Sequence, residues 1–443
     1  MKLNLKSTII AVLALCIGAL SVSAEDYGKY YRNLPVLLKQ VKPVVIPDRS
    51  ANLKDFGAVN DGVTLNTEAF AKAIAGLSSQ GGGHLIVPEG IWYTGPIVFE
   101  DNIDLHLERG ALILFSENLD DYPVVKSDWE GLSTYRAVSP LTARGKKNIS
   151  ITGEGTINGN GQMWRPVKKM KMTEPQWKKL TQTGCVNAKG DVWFPNENVL
   201  KVYENKELQE KVHNGDPQAL EAAHDFLRPV LVSFIGCTNV LLQGVTFENS
   251  PAWNVHPLLC ENLIVDNVNI RNPWYAQNGD GIDIESCTNV LLVNSSFDVG
   301  DDAICLKSGK DKDGRDRGVP SSNVLIEGCT VYHGHGGFVI GSEMSGGCRD
   351  IVARNCVFIG TDVGLRFKST RGRGGVVENI YVDNIKMTDI PGEALIFDMY
   401  YGIKPGAPVP PVTEETPSFR NIYIKDVVCR SAGRAALFNG LPE

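Results

Sequence analysis

Cys237-Thr-Asn-Val-Leu-Leu242 recurs fifty residues on as Cys287-Thr-Asn-Val-Leu-Leu292. Between the two lies Cys260-Glu-Asn-Leu-Ile264. Beyond them come Ser321-Ser-Asn-Val-Leu325, Cys348-Arg-Asp-Ile-Val352, Val377-Glu-Asn-Ile-Tyr381 and Phe419-Arg-Asn-Ile-Tyr423. Repetition at steps of 23 to 42 residues is the signature of a solenoid. Each unit carries a second short β-rich run, such as Val245-Thr-Phe247 or Val268-Asn-Ile270. Runs this short and rich in Val and Ile suit the faces of a coil rather than helices. Stacking the units aligns Asn239, Asn262, Asn289, Asn323, Asn379 and Asn421 as a ladder. Asn tolerates a tight corner and can bond to the amide of the next rung. Cys237, Cys260, Cys287 and Cys348 then share a column as small apolar residues. Leucine-rich repeats would need a longer, helix-bearing unit with regular leucines. The pattern therefore predicts an all-β, right-handed parallel β-helix.

The flanks add boundaries. Lys2 and Lys6, an apolar run from Ile9 to Leu20 and Val22-Ser-Ala24 have the anatomy of a secretory signal peptide. The run is too short to cross a bilayer comfortably, and no second apolar segment is long enough to span. A mature chain is expected to start near Glu25, in a periplasm or secreted, as one β-helix domain over 25–443 and as a monomer. Asp55-Phe-Gly-Ala-Val-Asn-Asp-Gly-Val63 leads into a helix expected over Thr67–Leu77, which would cap the open first rung. Residues 163–228 break the repeat. They read as an insertion with helices over Pro175–Gln182 and Lys206–Leu227, either of the kind that shapes one end of a cleft or a merely structural flap. Arg434–Glu443 resembles the start of another coil with no closing cap, which fits either a truncated sequence or a short natural end. Ten cysteines, nine after the leader, leave at least one unpaired. Bridges are possible in such a compartment, but a chain of this length can build a core without them. A net charge of −7 argues against nucleic acid as a partner. It also requires any groove for an anionic polymer to be locally basic.

Carboxylates cluster where coils stack. Asn278-Gly-Asp280-Gly-Ile-Asp283 ends one rung, and Gly300-Asp301-Asp302 ends the next. One coil apart, Asp280 should lie about 5 Å from Asp301 and Asp302. Three like charges at one place are costly in a purely structural role. Crowding raises the pKa of at least one, as a general acid requires. Turn aspartates or a Ca²⁺ site are the bland alternatives. Gly334-His335-Gly336 lets an imidazole project from a close-packed backbone. Arg366-Phe-Lys368 puts two cations on one face of a strand. Lys307, Lys310, Lys312, Arg315, Arg317, Arg371 and Arg373 would supply the positive field that the net charge lacks. Arginine suits bidentate grip of a uronate carboxylate.

In these four motifs the chain resembles the polygalacturonase family of glycoside hydrolases, which carries Asn-Thr-Asp, Gly-Asp-Asp, Gly-His-Gly and Arg-x-Lys in that order. Here they read Asn278-Gly-Asp280, Gly300-Asp301-Asp302, Gly334-His335-Gly336 and Arg366-Phe-Lys368. Gly279 stands where Thr is usual. The resemblance implies that Asp301 is the general acid, that Asp280 and Asp302 hold and deprotonate water, and that His335 supports the acid. It implies that Arg366 and Lys368, with Asn278, bind substrate, and that no metal or cofactor is needed. Inversion at the anomeric carbon would follow, with carboxyl groups roughly 6.5–9.5 Å apart. Asn249-Ser-Pro-Ala-Trp253-Asn-Val-His256 and Gly341-Ser-Glu343 resemble the bacterial exo-acting branch, making Trp253, His256 and Glu343 further candidates beside Lys307. The insertion 163–228 and the loop 308–322 could wall off one end of the groove, which favours exo action on a pectic polysaccharide or oligogalacturonide. An endo enzyme, a rhamnogalacturonan hydrolase, a Ca²⁺-dependent pectate lyase and a non-catalytic glycan-binding β-helix are the rivals.

Overall fold

The structure, a computed structural model, describes residues 26–404, 406–408 and 410–442. The leader assigned to residues 1–24 lies outside them. From Ser50 to Asn439 the chain winds as a right-handed parallel β-helix. One face is a ten-stranded parallel sheet running from Ile97–Val98 through Val255–Leu258, Ile282–Glu285, Ile304–Lys307, Gly336–Ile340 and Val363–Lys368 to Ala432–Asn439. The repeats found in the sequence form a second stack. Val240, Leu263, Val290, Val324, Ile351, Ile380 and Ile422 succeed one another in strict register. Each points inward because side chains alternate along a strand, and the column is buried as far as Ile380.

The asparagine corner forms as the repeat requires. Asn262 donates to Asn239 at 2.9 Å, Asn289 to Asn262 at 3.2 Å and Asn323 to Asn289 at 2.9 Å. All six ladder asparagines are left-handed, with φ between 53° and 62°, a conformation Asn adopts more cheaply than most residues. Asn148 and Asn102 extend the ladder upward, and Asp350 substitutes for Asn in the rung that donates no amide. Two outer ladder amides do a second job. Asn262 and Asn323 bond the backbone of Lys42 and Lys39, strapping residues 26–49 over the sheet.

The cap helix spans Thr67–Ser78 and buries Ala69, Phe70, Ala73, Ile74 and Leu77 against the first rung. All nine cysteines among the described residues are free. The expected column holds, with Ser321 between Cys287 and Cys348. The insertion has its own small apolar cores. Its expected long helix is broken into Lys206–His213 and Pro217–Ala222. Gly215 turns the chain with φ 78°, and Asp216 then caps the next helix at the Ala219 amide. A further helix, Glu197–Glu204, and an antiparallel hairpin, Val124–Trp129 with Leu132–Ala137, were not expected from the sequence. No helix among the described residues is long and apolar enough to cross a membrane.

Candidate active site

Register decides what meets what. Ile282 pairs with Ile304, so Asp280 stands one rung from Asp302. Ile304 pairs with Phe338, which puts Asp301 level with His335. Oxygens of Asp280, Asp301 and Asp302 lie within 4.8 Å of one another, the spacing of one rung. That is shorter than the 6.5–9.5 Å expected for an inverting pair. Adjacency of Asp301 and Asp302 in the chain, with single-rung stacking of Asp280, pins the nearest oxygens close.

The three carboxylates differ in environment. Lys368 donates to Asp302 Oδ2 at 2.6 Å and Arg366 to Oδ1 at 3.1 Å. Burial alone would raise the Asp302 pKa, but these two cations and Lys307 outweigh it and hold the carboxyl well below its usual range. Gly336 keeps the route open, since a Cβ there would sit 2.5 Å from the Val339 side chain and 3.4 Å from Asp302 Oδ1. Asp280 is shifted the other way, by burial first and then by Asp283 and Asp301, and its Oδ1 has no hydrogen-bond partner. Asp283 is pushed up to about 7 by burial, with Lys307 opposing at 3.6 Å. The upward shift expected from crowding therefore falls on Asp280 and Asp283. Asp301 is the accessible member, its side chain 21% exposed against 2% for Asp302. His335 Nδ1 lies 3.0 Å from Asp301 Oδ1.

The weaker candidates converge on the same face. Lys307 bonds Glu343 at 2.9 Å and lies 4.7 Å over the Trp253 ring. His256 bonds Glu285 at 2.8 Å, both buried. Asn278 accepts from Arg228 at 2.6 Å. Gly279 is required by its turn, because a Cβ would come 2.6 Å from that of Ala276.

Three contributors were missed. The hairpin tip closes over the strands: Trp129 stacks on Trp253 at 6.1 Å, Lys310 N donates to Gly131 O, and Arg317 bridges Asp128 to Glu285. Arg228 and Arg136 both lie over Trp129. Lys171, from the insertion, lies 2.7 Å from His335 Nε2. Only the Lys-rich composition of residues 163–172 hinted at it. An ammonium can only donate, so Nε2 accepts and Nδ1 carries the proton shared with Asp301. Beside this contact runs a cavity of about 810 Å³, lined by Lys171, Arg271, Trp274, Gly300, His335 and Asp362 among others. Lys171→Met removes the donor that holds the His335 ring, so kcat/KM is expected to fall several-fold, with Lys171→Arg, which can still donate, close to wild type; an unchanged rate in Lys171→Met would make the contact incidental.

Among the described residues the only cluster of three with spacing for a cation is these same aspartates. Asp302 already has two cations on it and burial favours neutral Asp280, a donor set poorly suited to Ca²⁺, which takes 6–8 oxygen ligands.

Residues 218–438 match the profile of Glycosyl hydrolases family 28. A probable polygalacturonase of Vitis vinifera is 30% identical over 98% of this chain and 79% of its own length. This chain belongs to glycosyl hydrolase family 28. An exo-poly-alpha-D-galacturonosidase of Dickeya chrysanthemi is 32% identical over 79% of this chain, which spans 57% of that longer protein. Among solved structures, a hyperthermoactive exopolygalacturonase from Thermotoga maritima superposes with TM-score 0.75 and 36% identity, covering 91% of this chain and 85% of that one. The matched span includes the residues that the coil stacks together: Asp280, Asp301, Asp302, His335, Arg366 and Lys368.

Proposed function

We propose that this family 28 glycoside hydrolase cleaves α-1,4-galacturonosyl linkages of polygalacturonate from a chain end. The observation that carries the reading is the division of labour among three stacked carboxylates. Asp302, held ionised by Arg366 and Lys368, is the base. Asp280 positions water against it. Asp301, accessible and backed by His335, protonates the leaving oxygen. Arg366 and Lys368 also present positive charge to a uronate beside the scissile bond. Exo action is supported by the hairpin tip, which packs on Trp253 and on the loop after Lys307 and so closes one end of the strand face. The exo-acting relatives support the same reading. Periplasmic or secreted location, and a monomeric state, accord with a leader at residues 1–24 and a single solenoid. A rhamnogalacturonan hydrolase would need a neutral subsite, which Arg366 with Lys368 disfavours.

Chromatography of polygalacturonate digests over time tests this. Galacturonate alone is expected as the early product, with no unsaturated product and no loss of rate with chelator. An early ladder of oligomers would refute exo action, and the absence of any cleavage would refute the substrate.

A further inference from the structure

Most cations around the carboxylates are already neutralised. Lys307 pairs with Glu343 and Asp283, Arg317 with Asp128 and Glu285, and Arg373 with Asp311. Arg136 and Arg228 are different. Among the described residues neither has an ion pair to a carboxylate. Arg228 is 8% exposed and donates only to the carbonyls of Pro251 and Gln277 and to the Asn278 amide oxygen. Arg136 Nε is buried with no hydrogen-bond partner at all. Both guanidiniums lie over the same ring, 4.0 Å and 5.3 Å from the Trp129 centroid. Burial drives the pKa of Arg136 down to about 9, with Arg228 adding to the effect, and that of Arg228 down to about 10. Glu130 opposes in both cases, and Asp280 and Asp301 also oppose at Arg228, but Lys310 draws on the Glu130 charge at 4.0 Å. Arg228 is buried and Arg136 half-buried, and two like charges over one ring are costly there unless something anionic joins them.

Position along the axis says which anion. Trp253, on which Trp129 stacks, lies one rung to the N-terminal side of Asp280, and Asn278, which Arg228 touches, precedes Asp280 on the same rung. Arg366 and Lys368 lie on rungs to the C-terminal side of Asp302. A galacturonan carries a carboxylate on every unit, so cleavage between two units places one uronate on each side of the aspartates. Two cationic stations are then needed, and two exist. We propose that Arg136 and Arg228, over the Trp129 ring, form the seat for the carboxylate of the chain-terminal galacturonate, with Trp129-Glu130-Gly131 closing the space beyond it. The inference rests on the galacturonan reading and adds the residues that would read the chain end. A guanidinium matches a carboxylate in fork geometry where a lysine would not.

The test is titration of folded protein with galacturonate and with galactose, its neutral counterpart, followed by tryptophan fluorescence and by competitive inhibition. Wild type is expected to prefer galacturonate. Arg136→Gln is expected to weaken galacturonate about ten- to hundred-fold, to near the galactose level, as loss of a charge-assisted pair implies. Its Tm should hold or rise, since a half-buried guanidinium with an unpartnered Nε is removed; a merely structural arginine would lower it. Arg228→Lys, which keeps the charge and loses the fork, should fall between the two. Retained preference for galacturonate in Arg136→Gln would overturn the seat. Absence of wild-type cleavage of polygalacturonate would instead overturn the functional reading, so the two failures are separable.

Discussion

Asp301→Asn is expected to lower kcat by about 10²–10⁴-fold, the usual worth of general acid catalysis, with KM little changed. The side chain keeps its size and its Oδ1, so it can still accept from the Asp302 amide at 3.1 Å and from His335. What it loses is the proton for the leaving oxygen. Because that oxygen becomes the free hydroxyl of the departing chain, a substrate with an acidic leaving group needs no such proton. An activated aryl galacturonide should therefore be cleaved by the variant with a much smaller deficit than polygalacturonate. Steady-state rates on both substrates check this. An equal deficit on both would remove Asp301 from the acid role and turn attention to Asp280, whose raised pKa also makes a proton available.

Lys368→Met is the second large effect, and it acts on folding and chemistry together. The Lys368 ammonium is buried and donates to Asp302 Oδ2 at 2.6 Å. Removing one partner of a buried pair costs about 3–5 kcal/mol, and the lower end is expected because Arg366 still holds Oδ1. The sign with pH is fixed. Asp302 has a depressed pKa in the folded state, so its contribution is present above the unfolded value of about 3.9. It is lost as pH falls through the folded value. The gap between wild type and variant should be widest at neutral pH and shrink below about pH 4. Denaturant unfolding at both pH values measures it. Turnover should fall as well, about 100-fold or more in kcat/KM, since Asp302 becomes easier to protonate and a uronate loses a cation. A stability deficit independent of pH would mean that packing, not the ion pair, was removed.

Much of this was legible in the sequence because a solenoid converts period into position. Once Cys237, Cys260 and Cys287 are aligned, the ladder and the stacking of Asp280 on Asp302 follow with no further information. The parts that escaped are those the period does not govern. The hairpin at 124–137 lies between rungs with no repeat to announce it, and its role depends on Trp129 meeting Trp253 far along the chain. Lys171 reaches His335 across 164 residues from an insertion with its own cores. The helix expected over 206–227 failed locally, at Asn214-Gly-Asp-Pro217, where a left-handed glycine and a capping aspartate restart the chain. The carboxylate separation was misjudged because a general spacing for inverting enzymes was applied where single-rung stacking sets a smaller one.

That same compact spacing makes stereochemistry the sharpest question. By separation alone, oxygens within 4.8 Å resemble a pair in which one carboxylate attacks directly. The division of labour among the three says otherwise: Asp302 ionised and Asp280 beside it place a water on the face opposite Asp301. The decisive measurement is the anomeric configuration of galacturonate at the moment of release, followed by proton NMR before mutarotation. Release of the β-anomer from the α-linked chain is the expected result. Release of the α-anomer would contradict the water-activating role of Asp280 and Asp302 and make one of them a nucleophile.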